Sequence, residues 1–153
     1  MRITTKGRYA LRAMANLAMN GSVKPKAIKT IAAEEDISAE FLEQIFFRLK
    51  KAGVIESVRG PGGGFILTQA PESVNVKTIF EAVDEGLELS PCSGEKGEVQ
   101  CPKTDTCLVH DVWREASDHI NSFFEGMTLR RIMDTNKNKQ FTDILAGSNI
   151  ALS

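Results

Sequence analysis

The stretch that most restricts how this chain can fold is VIESVRGPGGGFILT, residues 54–68. Two short runs, VIESVR (54–59) and FILT (65–68), flank the pentapeptide Gly60-Pro61-Gly62-Gly63-Gly64. The first run alternates apolar and polar residues, and Gly and Pro dominate the connection. Together they read as a β-hairpin with a glycine-rich tip. The same glycines invite a phosphate-loop reading. The Gly-Lys-Ser/Thr ending is missing, however, and no helix starts after them. Glycine at a hairpin tip instead lets the backbone come close to another backbone.

The chain before the hairpin is helical. Ala10, Leu11, Met14, Leu17 and Ala18 recur at helical spacing and predict a first helix from about Thr5 to Met19, with Asn20-Gly21 as its stop. Pro25 suits the first turn of a short second helix that carries Ala27, Ile28, Ile31 and Ala32 on one side. Ser38 has the place of an N-cap for a third helix, with Ile37 positioned to staple onto Leu42. That helix buries Phe41, Leu42, Ile45, Phe46 and Leu49 and ends at Ala52-Gly53. Its other face shows Glu40, Glu43, Gln44, Arg48 and Lys51. Two short helices, a brief turn and a hairpin make a winged helix-turn-helix, in which the second helix of the motif enters the DNA major groove. The expected fold is mainly α with a small β-hairpin wing, the helix-turn-helix spanning about 26–52 and the wing 54–68.

Beyond Pro71, VNVKTIFEAVDE (74–85) predicts another helix with Val76, Ile79, Phe80 and Val83 inward. A loop poor in apolar residues comes next and holds all three cysteines. From about Asp105 to Met127, Leu108, Val109, Val112, Trp113, Ala116, Ile120, Phe123 and Phe124 form a long apolar stripe. On so small a chain such a stripe is expected to pack against a partner helix, so a symmetric homodimer is anticipated. From Thr135 the sequence TNKNKQ is polar and reads as a mobile tail, with a short apolar piece, FTDILAG, near its end. The anticipated organisation is a DNA-binding domain (1–72), the cysteine loop with a dimerisation helix (73–134) and the tail (135–153).

Charge distribution supports a division of labour. Residues 1–70 carry 11 Lys+Arg against 6 Asp+Glu, whereas residues 71–153 carry 8 against 14. The basic front half suits phosphate. No segment approaches the ~18 consecutive apolar residues of a membrane span, and the start MRITTKGRYALRAM lacks the apolar core of a secretory signal. A cytoplasmic protein with reduced thiols is expected, and an odd cysteine count agrees.

Two groups of residues carry chemistry. Arg59, at the base of the hairpin tip, suits a minor groove, whose negative potential attracts guanidinium. On the third helix Gln44 can bond adenine twice and Glu43 can accept from cytosine N4, although Glu also repels phosphate. The second group is Cys92, Cys101, Cys107 and His110, a C-x8-C-x5-C-x2-H pattern. If Cys107 and His110 open the long helix they share one face. Three thiolates and an imidazole suit Zn²⁺ or an iron–sulfur cluster. The uneven spacing lacks the paired knuckles of structural zinc, and three thiols on a loop fit a catalytic nucleophile poorly. No second cofactor site or convergent acid/base constellation points to an enzyme or to a small-molecule substrate.

Taken together, KGRYALRAM, EFLEQIFFRLKKAG, SVRGPGGGFIL and the late cysteine loop resemble the iron–sulfur cluster regulator family of winged-helix transcription factors, over about residues 1–130. The resemblance implies a dimeric regulator whose cluster state sets its affinity for, or choice of, a roughly palindromic site on double-stranded DNA. In the branch this chain looks most like, three Cys and one His hold a 2Fe–2S cluster, and Cys92, Cys101, Cys107 and His110 match that order. Nitric-oxide-sensing relatives hold a 4Fe–4S cluster with an early aspartate. The matching position here is Arg8, which cannot be a ligand. Alternatives are a nitric-oxide- or iron-responsive repressor with a 4Fe–4S cluster, or a zinc-stabilised repressor that does not sense. Two departures stand out: the first cysteine gap holds eight residues, three more than usual, and Glu40 occupies the place of a small serine. The residues expected at DNA are Ser38, Glu40, Glu43, Gln44, Arg48, Ser57, Arg59, Gly60 and Lys6. The resemblance also implies that Glu43 is a gatekeeper, disfavouring one class of sites until cluster binding repositions its helix.

Overall fold

Thr4 opens the first helix by accepting the backbone N–H of Gly7 on its hydroxyl (3.3 Å). This helix, α1 (Thr5–Met19), has the bounds read from its periodicity. The structure is a computed structural model, in which residues 1–21, 23–93 and 101–150 are described, apart from the side chains at 140–141 and 147–150. Ala10, Ala13, Met14, Leu17 and Ala18 form the buried stripe of α1. The two large ones, Met14 and Leu17, are each worth about 1.5–3 kcal/mol of burial.

Helices α2 (Ile28–Glu35) and α3 (Ala39–Lys51) are joined by a tight turn in which Asp36 takes left-handed φ (54°). Ser38 caps α3 as expected, accepting from Phe41 N–H at 3.1 Å. Pro25 is not in the first turn of α2, which begins three residues later. The preceding segment instead runs extended along the hairpin, Lys26 N–H donating to Phe65 O (3.0 Å) and Phe65 N–H to Lys26 O (2.9 Å). Those bonds satisfy backbone groups at the hairpin edge that a helical turn would have left open.

Strands β1 (Ile55–Val58) and β2 (Gly64–Leu67) pair antiparallel, Ile55 opposite Leu67 and Val58 opposite Gly64. A Cβ at Gly64 would run into the Lys26 backbone, and one at Gly63 into the Val58 carbonyl. Side chains at these positions would therefore prise the wing apart.

Asn75 caps α4 (Val76–Ala82) by accepting Thr78 N–H at 2.8 Å. The helix is shorter than the 74–85 anticipated, because Val83 leaves helical geometry and Asp84 turns to positive φ (54°). Val76, Ile79, Phe80 and Val83 are buried as expected.

Helix α5 (His110–Gly126) starts later than the expected Asp105, residues 105–109 forming turns. Its stripe divides. Phe124 packs edge-on to Phe80 (5.3 Å, 80°) inside its own chain, while Val112, Trp113 and Phe123 stay exposed. Helix α6 (Leu129–Ile150) begins almost at once. The polar segment from Thr135, expected as a tail, is the continuation of this helix. Thr128 satisfies Arg131 N–H at 3.2 Å, Leu129 and Met133 enter the core, and no Pro interrupts the remaining turns.

A main core unites α1, α2, α3 and the wing base with Val74, Ile79, Val83, Leu129 and Met133 from the later half. Val76 N–H to Met127 O and Leu129 N–H to Val74 O, both 2.9 Å, tie α4 to the start of α6. The Arg130–Glu72 ion pair (2.7 Å) adds a surface link. Glu72 is held below its ordinary value by its own backbone hydrogen bond and by Arg130.

Candidate nucleic-acid interface and cysteine site

Packing Leu42, Ile45, Phe46 and Leu49 into the core obliges the opposite side of α3 to face outward. Glu40, Glu43, Gln44 and Arg48 are all exposed there. Lys50 Nζ donates to Ser57 Oγ (2.9 Å), fixing β1 against the C-terminal end of α3. Ser57, Arg59 and Gly60 are exposed on the wing. These residues thus share the surface formed by α3 and the hairpin. Ser38, also exposed, spends an acceptor site on its cap. Lys6 is half-buried on α1, and Arg48 forms an ion pair with Asp84 of the turn after α4. Sequence reasoning overlooked Phe47, which stands 68% exposed in the middle of this face.

The cysteine site is built around the N-terminal part of α5. Cys107 lies in the preceding turn, not in the helix; His110 N–H bonds its carbonyl at 3.4 Å. The shared helical face expected of the pair is thus replaced by a turn, because α5 begins only at His110. Cys92 lies in a single 3-10 turn, Pro91–Ser93, with its Sγ 3.0 Å from Ser90 Oγ. Ser117 Oγ, buried on α5, donates to Ser93 Oγ at 3.0 Å. His110 and Ser117 are seven residues apart, two turns along one face of α5, so the Cys92 turn is anchored on the side that carries His110. Cys92 and Cys101 are half-buried and Cys107 is exposed. Residues 94–100, between the first two cysteines, lie outside the described residues. Among the described residues no three Cys, His, Asp or Glu are gathered at coordinating distance.

Two observations bear on whether these residues fit a metal group. Three soft thiols and one imidazole are the donor set of zinc or iron–sulfur sites. In addition, His110 Nδ1 is buried without a hydrogen-bond partner among the described residues, a costly condition that coordination or a water would relieve.

A buried carboxylate that sequence reasoning missed joins α1 to the segment before the cysteine loop. Glu85, only 6% exposed, accepts the Thr4 N–H at 2.8 Å and the Thr4 hydroxyl as well. It thereby sits at the N-terminus of α1, where the helix dipole favours a negative charge. Gly7 provides the room: a Cβ there would lie 2.5 Å from Glu85 Oε2. Glu85 begins the segment that leads into the cysteine loop, so the start of α1 is bolted to the start of that segment.

Helix-turn-helix and wing, with the outer face of α3 exposed, are the architecture of a DNA-binding transcription regulator. A family model described as "Rrf2: Iron-dependent Transcriptional regulator" matches residues 3–135, and the chain belongs to the Rrf2 family. It is 39% identical over 143 residues to the HTH-type transcriptional regulator IscR of Aliivibrio salmonicida, covering 94% of this chain and 83% of that protein. Against IscR of Escherichia coli (strain K12 / DH10B) it is 39% identical over 144 residues, covering 94% and 85%. The solved structure of T. potens IscR superposes with a TM-score of 0.74 at 28% identity, covering 92% of this chain and 91% of that one. CymR, the global cysteine regulator of B. subtilis, gives 0.71 at 27%, covering 88% and 98%. The chain is thus an IscR-type regulator. None of the helices among its described residues is long and apolar enough to cross a membrane.

Proposed function

We propose that this regulator is a homodimer whose DNA binding is set by an iron–sulfur cluster, of the 2Fe–2S type, held by Cys92, Cys101, Cys107 and His110. The observation that carries the reading is His110 at the head of α5, one turn after Cys107, whose Nδ1 is buried and has no hydrogen-bond partner among the described residues. When bound, the cluster supplies a charge and ligation state that changes with iron supply or oxidation.

The chain's own residues do the rest. Residues 1–72 read DNA, α3 in the major groove with Gln44 and Glu43 at base edges and Arg59 of the wing in the minor groove. Residues 73–134 hold the cluster and the second copy. The exposed edge of α5, with Val112, Trp113 and Phe123, is the seam between the copies. Two such α3 helices address half-sites about one helical turn apart on a roughly palindromic operator. Glu85, bonded to Thr4, transmits any shift of the cysteine loop to α1, against which α3 packs. Glu43 then serves as the gatekeeper, its charge opposing one class of sites. Such a protein works in the cytoplasm, where thiols stay reduced.

Anaerobic purification tests the reading. A brown or red protein with iron and acid-labile sulfide, both lost in Cys107→Ala, is the expected result. A colourless protein holding one zinc through the same four residues would replace sensing with a structural metal.

A further inference from the structure

Phe47 has a position that the fold does not require. Its neighbour Phe46 is fully buried, packed edge-on against Phe65 at 5.1 Å, whereas the Phe47 ring is 68% exposed. At 100° per residue, Glu40, Glu43, Gln44, Phe47 and Lys51 fall within one strip of α3, opposite the buried stripe. Phe47 is the one apolar side chain on that strip, and it shares a shallow depression with Glu40, Glu43, Gln44 and Arg48. A single ring bordered by polar and charged groups is far too small a patch for a protein partner, which needs several hundred Å² on each side. Presented to a major groove, it meets one apolar feature, the 5-methyl group of thymine.

We propose that Phe47 is a sequence-reading residue whose ring packs on a thymine methyl in each half-site. Gln44, three residues earlier on the same face, has the bonding pattern for adenine, so the pair selects A·T steps at this part of the operator. The inference rests on the reading of α3 as the recognition helix and goes beyond it by assigning a base contact to a hydrophobic residue.

Thymine and uracil differ only by this methyl group, which gives a clean test. An operator is first selected from random duplexes with the wild-type protein. Each thymine is then replaced singly by deoxyuridine, and affinities are measured by fluorescence anisotropy at fixed salt. One position in each half-site is expected to cost wild type about fourfold, the factor that removing one buried methyl is worth, and both together about fifteenfold. Phe47→Ala is expected to be indifferent to the same replacements, and Phe47→Leu to keep part of the sensitivity. A wild-type protein with no uracil-sensitive position, or a Phe47→Ala protein equally sensitive, would overturn the proposal. So would a lowered oligomeric state of Phe47→Ala in light scattering, which would give the ring to a second copy. Gln44→Ala separates the two layers. If it changes the selected sequence while Phe47→Ala does not, the methyl contact fails and the recognition helix stands; if neither changes it, α3 is not the reading element.

Discussion

Replacing Gly7 by Ala should destabilise this protein, against the ordinary rule for helices. Gly→Ala within a helix normally gains about 0.5–1 kcal/mol, because glycine loses more backbone freedom on folding. Here the new methyl would lie 2.5 Å from Glu85 Oε2 and 2.8 Å from its Cδ, both in a buried side chain. The carboxylate has to withdraw, and its bonds to the Thr4 N–H and hydroxyl stretch or break. Hydrogen bonds to a charged group are worth about 1.5–3 kcal/mol each. Losing one of the two outweighs the helix gain, so a net loss of about 0.5–2.5 kcal/mol is expected. The assay is urea unfolding followed by far-UV circular dichroism at one fixed protein concentration, since association shifts apparent stability. The decisive comparison is a double-mutant cycle. In a Glu85→Ala background the obstacle is gone, and Gly7→Ala should now stabilise by about 0.5–1 kcal/mol. A sign reversal between the two backgrounds is therefore required. If Gly7→Ala raises the unfolding midpoint in otherwise wild-type protein, the account of Glu85 as a close-packed bolt is wrong.

Arg59→Ala should weaken specific DNA binding by about 1–3 kcal/mol or more while leaving the helical content unchanged; a footprinting titration with unaltered affinity would remove Arg59 from the interface. Phe123→Glu, a charge placed on the exposed edge of α5, should yield a monomer by light scattering at micromolar concentration and lower operator affinity, since two half-sites could no longer be engaged together. Acid should destabilise the surface ties first. Lys26 and Asn16 lower Glu34 by hydrogen bonding, and its own backbone and Arg130 lower Glu72. A carboxyl with a depressed folded value contributes above its ordinary 4.5 and loses that contribution as pH falls through the folded value. Both groups lie at the surface, so the effect should be small and screened by salt. Glu34→Gln with Glu72→Gln should flatten the stability profile at that end of the pH range by lowering stability slightly near neutrality, where the carboxylates contribute, while leaving it unaltered below their folded values.

Local chemistry made much of this molecule readable in advance. α1 lies where its 3.6-residue spacing places it, because Ala10, Met14 and Leu17 repeat without a breaker until Asn20-Gly21. Ser38 caps α3, and the glycine tip closes the hairpin between Val58 and Gly64. Each of these results from contacts within a few residues, and the exposed outer face of α3 comes with them, since burying Leu42, Ile45, Phe46 and Leu49 leaves the other side outward. The cysteine and histidine pattern is legible for a different reason, the rarity of such donors in a polar loop.

Other features depend on distant partners, and no local pattern encodes them. Lys26 runs extended because Phe65, far along the chain, offers it two hydrogen bonds. Leu129 and Met133 turn a polar-looking C-terminal segment into a helix because α1 supplies the apolar surface they bury. Phe124 faces inward and Phe123 outward only because Phe80 lies on one side of α5. Glu85 reads as one acid among several in an acidic stretch, and its neighbour in space, Thr4, is 81 residues away. By itself, then, the sequence determined the helix-turn-helix, the wing and the metal-ligating residue types, all products of short-range propensity and side-chain chemistry. Only the tertiary structure decided which apolar faces are covered, which carboxylate is buried and how the segment before the cysteine loop is joined to α1, because those outcomes depend on which surfaces the folded chain brings within reach of one another.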